Sequence, residues 1–162
     1  MSVDGTDVRI PNHGPRFASH KFKGKSALRY ELGVDILEGD LAWLNGPFPA
    51  GEWPDIEIFR NCLATWLDLG ERVEADDGYV GEAPWKVKCP MSVSNPQENE
   101  AMQKRVRSRQ ETLNKRLKQW KILQDEYRHD ITQHGFVFRA IAVITQIAIK
   151  NGEPLFEVDY SD

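Results

Sequence analysis

The chain has 162 residues, of which 40 % are hydrophobic, including seven Phe and five Trp. This length and composition suit one folded domain, 1–162, with a hydrophobic core. The net charge of −4 argues weakly against a nucleic-acid partner, and two cysteines without metal-ligand spacing exclude a disulfide framework. A reducing compartment, the cytosol or the nucleus, is therefore expected.

Strand patterns fill the first part of the chain. Residues 3–10 alternate loosely between apolar and polar types, which predicts a short strand that carries Asp4. Strict alternation over 28–36, a turn and an apolar run over 41–44 predict a hairpin. The Gly-Pro-Phe-Pro sequence at 46–49 is expected to break the sheet.

A helix and a fourth strand are predicted next. Apolar residues recur at helical spacing over 54–70, with Trp66 on the apolar face and in the expected core. Asp55, which follows a proline, suits a helix cap. Residues 71–75 predict a short strand that ends in the turn sequence Asp76-Asp77-Gly78-Tyr79.

Two helices complete the prediction. After an irregular stretch, a long helix is expected from Asn95, which suits the cap position, to about Arg128. Its apolar positions are expected to form the buried stripe: Met102, Val106, Leu113, Leu117 and Trp120. A last helix covers roughly 132–150. Its apolar stretch, 136–149, is too short to span a membrane, which indicates a core helix and no membrane partner.

This order of elements predicts an α/β fold. A hairpin followed by a right-handed crossover through a helix to a fourth strand gives a mixed sheet flanked by helices. That is the order of the ribonuclease H-like fold. Its first and fourth strands lie side by side and parallel, so Asp4 and Asp76 are expected to be neighbours although 72 positions separate them.

Two neighbouring carboxylates indicate a metal site. They repel each other, so each raises the other's pKa unless a cation neutralises them, and oxygen ligands favour Mg²⁺ or Mn²⁺ over zinc. Glu111 is the candidate third ligand, because it is the only acid between Gln103 and Lys121 and lies away from the apolar stripe. The cations around it would bind phosphates: Lys104, Arg107, Lys115 and Lys118.

A second basic stretch, 16–25, carries Phe17 and Phe22 between its cations and contains no acid. It suits a loop that contacts nucleic-acid phosphates. It suits a solvated flank of the hairpin equally well.

Several short sequences, in their order along the chain, resemble those of one family. They are Val3-Asp4-Gly5-Thr6-Asp7, Gly46-Pro47-Phe48, Trp53-Pro54-Asp55-Ile56, Ile58-Phe59-Arg60, Ala75-Asp76-Asp77-Gly78-Tyr79, Arg107-Ser108-Arg109-Gln110-Glu111-Thr112 and Gly152-Glu153-Pro154-Leu155-Phe156. The set resembles the DDE endonuclease domain of Harbinger-type transposases and extends from about Ser2 to Tyr160. Asp55 matches a recurrent position of that family, but its place after Pro54 favours helix capping.

The resemblance implies a DNA endonuclease that uses two ions of Mg²⁺ or Mn²⁺. The family's two catalytic aspartates match Asp4 and Asp76, and its glutamate matches Glu111. Asp77, one position off the pattern, stays open as the second ligand. One ion would activate a water or a DNA 3′-hydroxyl, and the other would stabilise the leaving oxygen.

The resemblance also bears on location and partners. A nuclear location is expected, with the cytoplasm as the alternative. Related transposases carry a DNA-binding region before the first strand, which this chain is expected to lack, and a separate Myb-like protein would then supply targeting to DNA. Two other functions stay open: a catalytically silent, domesticated or relic domain that binds DNA or a partner protein, and a ribonuclease H-like nuclease that cuts RNA or hybrids.

Overall fold

The computed structural model describes residues 1–92 and 96–160. Its strands and helices are β1 (Ser2–Arg9), β2 (Ala27–Val34), β3 (Leu41–Pro49), α1 (Asp55–Asn61), β4 (Val73–Glu74), β5 (Val87–Lys88), α2 (Pro96–Lys118), α3 (Lys121–Gln124) and α4 (His134–Lys150). The five strands form one mixed sheet in the order β3-β2-β1-β4-β5. Neighbours among β1, β2 and β3 are antiparallel, whereas β4 is parallel to β1 and β5 to β4. The predicted α/β class and the parallel pairing of β1 with β4 are confirmed.

The β2–β3 hairpin is longer than predicted. β3 continues to Pro49 and stays paired with β2, so the expected break at 46–49 is wrong. A shift in register between Arg29 and Glu31 lets the pairing resume at Phe48. β3 is an edge strand of the sheet, where a proline does not remove a hydrogen bond that another strand needs.

The segment after β3 contains less helix than predicted. α1 ends at Asn61, and a 3-10 turn, Leu63–Thr65, follows a departure from helical backbone angles at Cys62. Helical spacing therefore no longer applies to Trp66, which is 76 % exposed, and its predicted place in the core is wrong. β4 lies where the fourth strand was predicted, but β5 lies in a stretch expected to be irregular. Two residues are too few to show an alternating pattern.

α2 begins at Pro96, as predicted, while its expected cap, Asn95, lies outside the described residues. The helix ends at Lys118, so its predicted extension to Arg128 is wrong.

The predicted apolar stripe is buried only as far as α2 extends. Most of the predicted stripe is buried: Val106, Leu113 and Leu117. Trp120 is 40 % exposed, contrary to the prediction, because its extended backbone ends the helical spacing. The chain then turns so that the Tyr127 N–H donates to the Arg9 carbonyl oxygen at 2.9 Å. Leu123 and Tyr127 thereby join the core, a tertiary contact that the helical pattern does not contain.

α4 buries only one of its faces. The rings of Tyr30 on β2 and Phe138 on α4 stack with centroids 3.8 Å apart. The other face exposes four apolar side chains, so the predicted core helix is only half correct: Phe136, Val143, Ile144 and Ile147. Within the ranges 1–92 and 96–160, no helix is both long and apolar enough to cross a membrane.

Hydrophobic cores lie on both faces of the sheet. On one face β1 and β2 pack against α2 and α4, and on the other β1, β4 and β5 pack against α1. Because successive residues of a strand point to opposite faces, Asp4 faces α2 while Gly5 faces α1.

Candidate functional site

The three acids predicted as metal ligands line one cavity of about 90 Å³. Asp4 comes from β1, Asp76 follows the end of β4, and Glu111 lies on α2. The parallel pairing of β1 with β4 brings the first two to the same edge of the sheet. In the described parts of the chain, no three side chains among Asp, Glu, His and Cys lie close enough together to hold a metal ion. The acids therefore surround one space without forming a complete set of ligands.

Asp4 is half-buried, whereas Asp76 and Glu111 are exposed. Its Oδ2 accepts a hydrogen bond from Asn114 Nδ2 at 2.8 Å. Burial raises the pKa of Asp4, the ammonium of Lys21 opposes that rise, and the charges of two other acids add to it: Asp55 and Asp76. A cation in this cavity would stabilise the ionised form of Asp4.

The structure distinguishes the two adjacent aspartates of the turn after β4. Asp76 lines the cavity, and its Oδ1 accepts a hydrogen bond from the Gly78 N–H at 2.9 Å, which caps the following 3-10 turn. Asp77 Oδ1 accepts from the Met91 N–H at 3.2 Å, and this residue does not line the cavity. The placement favours Asp76 over Asp77 as the second ligand.

The predicted phosphate-binding cations are divided between two spaces. Arg107 lines the acid cavity, while Lys115 and Lys118 line a neighbouring cleft of about 510 Å³. Lys104 is exposed and lines neither space. We call the second space the α2 cleft; its walls include Phe22, Glu111, Asn114, Lys115, Lys118 and Gln124. Glu111 lines both spaces and so joins them.

A fourth acid, Asp55, lies beside the site and was assigned to helix capping from the sequence. That assignment is wrong, because Pro54 is the N-cap of α1 and no side chain caps the helix. Asp55 turns onto β1 instead, and its Oδ1 lies 1.8 Å from where a Cβ on Gly5 would be. Burial is the main cause of its raised pKa. The family resemblance did indicate this residue, because Asp55 matches a recurrent position of that family. Helix capping was the simpler explanation of an acid after a proline.

A buried ion pair holds Asp55 and β1 in place. Arg29 Nε and Nη2 donate to the two carboxylate oxygens of Asp7 at 2.7 and 2.9 Å, and Ser19 Oγ donates to the second of them. Burial opposes ionisation of Asp7, but these hydrogen bonds and the Arg29 charge outweigh it and lower its pKa. Arg29 Nε also lies 3.3 Å from Asp55 Oδ1, and Nη1 donates to the Trp53 carbonyl oxygen.

Lys21 brings the basic stretch 16–25 close to the acids. Lys21 Nζ donates to the Gly5 carbonyl oxygen at 2.5 Å, and its charge lowers the pKa of both Asp4 and Asp55. The chain folds back beyond it, because the Ser19 N–H donates to the Lys25 carbonyl oxygen. The loop is thus tied to the strand that carries the first acid.

Several buried polar atoms around the acids have no hydrogen-bond partner among the described residues: the Tyr79 hydroxyl, Asp55 Oδ1 and Asn114 Oδ1. Burial raises the pKa of Tyr79, and the nearby acids add to that rise. Oxygen atoms therefore dominate this region, and its excess of negative charge fits a hard divalent cation.

Glu31, opposite Gly5 on β2, is fully buried, and its Oε2 accepts a hydrogen bond from Trp43 Nε1 at 2.9 Å. Burial raises its pKa from 4.5 to about 7. The folded protein therefore binds this proton more tightly than the unfolded chain, so the stabilisation is complete below about pH 4.5 and is lost as the pH rises through 7.

Glu31→Gln is expected to remove this pH dependence, because the amide keeps an oxygen for Trp43 and never ionises. The free energy of unfolding of the wild type should fall by roughly 3 kcal/mol more than that of the variant between pH 4.5 and 8.5. Urea unfolding across that range measures the difference, with the exposed Glu153→Gln as the matched control. Equal slopes for wild type and Glu31→Gln would show that Glu31 ionises normally.

Comparison of this chain with known protein families, with curated protein sequences and with solved structures finds no match.

Proposed function

We propose that this chain is a metal-dependent DNA endonuclease domain of ribonuclease H-like fold, of the DDE type found in Harbinger transposases. The observation that carries the proposal is the shared cavity. Asp4, Asp76 and Glu111 come from three distant parts of the chain and line one space at the edge where β1 and β4 run parallel. Acids scattered over a surface have no reason to line one cavity. A nuclease of this type needs its three acids in one place.

The topology supports the fold assignment. The first three strands form an antiparallel meander, and the chain then crosses through α1 to a strand parallel to β1. This is the arrangement that the order of elements predicted for a ribonuclease H-like sheet.

The chain's own residues would hold the metal and the substrate. Asp4, Asp76 and Glu111 would hold the Mg²⁺ or Mn²⁺ ions. When bound, the ions would supply a Lewis acid and a water of lowered pKa for cleavage of the phosphodiester bond. Asn114 fixes the Asp4 carboxylate through its hydrogen bond at 2.8 Å. Arg107, which lines the same cavity, would bind a phosphate oxygen of the substrate.

One observation favours a second function, a catalytically silent domain that binds DNA or a partner protein. In residues 1–92 and 96–160, the acids do not come close enough together to hold a metal ion. A nuclease would have to bring the three acids closer together when metal and DNA bind. The silent domain needs no such movement.

The test is cleavage of supercoiled plasmid DNA by the purified chain. Nicking is expected in Mg²⁺ or Mn²⁺ and none in excess EDTA, because the acids need cations to act together on a phosphate. A metal-binding chain that leaves every DNA intact would favour the silent domain.

The same preparation distinguishes a ribonuclease. Duplex DNA, an RNA–DNA hybrid and single-stranded RNA of one sequence are compared, and duplex DNA is expected to be cut fastest. Preferential cleavage of the hybrid or the RNA would assign the site to RNA instead. With DNA as the substrate, a nuclear location and targeting by a Myb-like partner are part of this proposal.

A further inference from the structure

The α2 cleft continues from the acid cavity along one face of α2. Glu111 lines both spaces, and Asn114, which holds Asp4, lines the cleft. Lys115 and Lys118 follow at the i+4 and i+7 positions from Glu111, the spacing of side chains on one face of a helix. A strand whose phosphate lies at the acids would therefore meet this cleft next.

The cleft contains a half-buried cation that makes no direct contact with an acid in the described residues. Lys118 is half-buried, and it makes no hydrogen bond or ion pair with any residue that the structure describes. Of the two acids on the cleft wall, Asp7 is already held by Arg29 and Ser19, and Glu111 also lines the acid cavity. Burial and the charge of Lys21 lower the pKa of Lys118, although the charges of Asp7 and Asp4 oppose that shift. Two ammonium groups that repel each other beside an open cleft suit an anionic ligand such as a phosphate.

An aromatic side chain forms part of the opposite wall. Phe22 is partly buried and reaches the cleft from the loop that Lys21 ties to β1. Leu123 extends the apolar lining, while Gln119 and Gln124 add amide groups. A nucleobase can stack on an aromatic ring and an apolar wall, and side-chain amides can form hydrogen bonds with its edge. The volume of about 510 Å³ lies within the range of small-ligand sites.

We propose that the α2 cleft receives one unpaired nucleotide of the strand that is cut, with its base against Phe22 and its phosphate on Lys118. The inference rests on the proposed function for the identity of the strand and of the bond that is cleaved. A base stacked inside a duplex cannot reach such a cleft, so the nucleotide has to be a flipped base or an unpaired end. The protein would therefore prefer DNA that is already distorted or frayed beside the cleavage position.

The experiment measures binding without cleavage, in Ca²⁺, by fluorescence anisotropy. Two labelled oligonucleotides are compared, one fully paired and one with a single unpaired 2-aminopurine. The wild type is expected to bind the second about 5- to 150-fold more tightly, the range that one stacked base contributes. The fluorescence of the 2-aminopurine should rise on binding, because the base leaves its stack with neighbouring bases, which quench it.

Variants assign the preference to the cleft. Phe22→Ala is expected to lose it, Phe22→Trp to keep it, and Phe136→Ala, on the exposed face of α4, to behave as wild type. Lys118→Gln should lower the salt dependence of binding by about one phosphate contact. Free deoxyadenosine monophosphate should not displace the oligonucleotide when it is added at a concentration at which the oligonucleotide itself saturates the protein. Complete displacement would show that the cleft binds a free nucleotide rather than one within a strand.

Three outcomes would overturn the proposal: equal binding of both oligonucleotides by the wild type, an intact preference in folded Phe22→Ala, or full competition by free deoxyadenosine monophosphate. The proposed nuclease function is judged separately, by plasmid cleavage. If the chain cuts DNA but shows no preference for the unpaired base, only the proposal of a nucleotide-binding cleft is rejected. If the chain shows the preference but does not cut DNA, the nucleotide-binding cleft is supported and the nuclease function is rejected.

Discussion

Asp76→Asn is expected to reduce metal-dependent DNA cleavage by about 10²-fold or more, the loss that corresponds to several kcal/mol of transition-state stabilisation. The substitution removes the negative charge of the Asp76 side chain, which lines the acid cavity. It retains an oxygen that can accept the hydrogen bond from the Gly78 N–H, so the turn after β4 keeps its cap. The measurement is the initial rate of plasmid nicking at saturating Mn²⁺, alongside the thermal unfolding midpoint.

The adjacent Asp77→Asn is the matched control, because Asp77 is also exposed and also accepts one backbone hydrogen bond. It should cut DNA at close to the wild-type rate. Should Asp77→Asn be the inactive variant and Asp76→Asn the active one, the second ligand would be Asp77. Undiminished cleavage by both variants would remove this turn from the active site.

Arg29→Met is expected to lower the free energy of unfolding by about 3–5 kcal/mol, the cost of leaving one partner of a buried ion pair without the other. Arg29 and Asp7 expose only 7 % and 0 % of their side chains. Met has similar length and no charge, so packing changes little while Asp7 loses both Arg29 donors and keeps only the Ser19 hydroxyl. Urea unfolding at pH 7 measures the effect, and Arg16→Met, in the exposed pair with Glu52, should change stability little.

The pH dependence identifies the cause. In the wild type the pKa of Asp7 lies below its ordinary 3.8, so the stabilisation is present above about pH 4 and is lost as the pH falls through the folded pKa. Without Arg29, burial would raise the pKa of Asp7, and the variant would lose stability as the pH rises above 4. The difference between the two proteins should therefore grow from pH 4 to 7. A difference independent of pH would indicate lost packing rather than an unpaired charge.

The meeting of Asp4 and Asp76 could be predicted from the sequence because it depends on strand order. Alternation over 28–36 and the crossover after it are properties of the sequence, and they determine which strands become neighbours. β3 extends past 46–49 because an edge strand tolerates proline there, and a position at the edge is known only once the sheet is assembled.

Asp55 and Asn114 could not be assigned from the sequence, because their roles depend on which atoms they contact across the fold. A carboxylate after a proline is typical of a helix start whether it caps the helix or turns away from it. Asn114 lies on α2, 110 positions from the Asp4 that it holds. Trp120 likewise falls on the buried stripe by helical spacing, but α2 ends at Lys118 and the backbone of Trp120 is extended.

Gly5 lets the two sides of the sheet influence each other. Asp4 leaves β1 on the α2 side, whereas Asp55 rests on the same strand from the α1 side, in the volume that a side chain at position 5 would occupy. Only backbone separates these layers at that point, so the electric field of one acid reaches the other. Even a methyl group there would displace the Asp55 carboxylate, so the smallest residue of β1 sets how closely the two acids approach each other through the sheet.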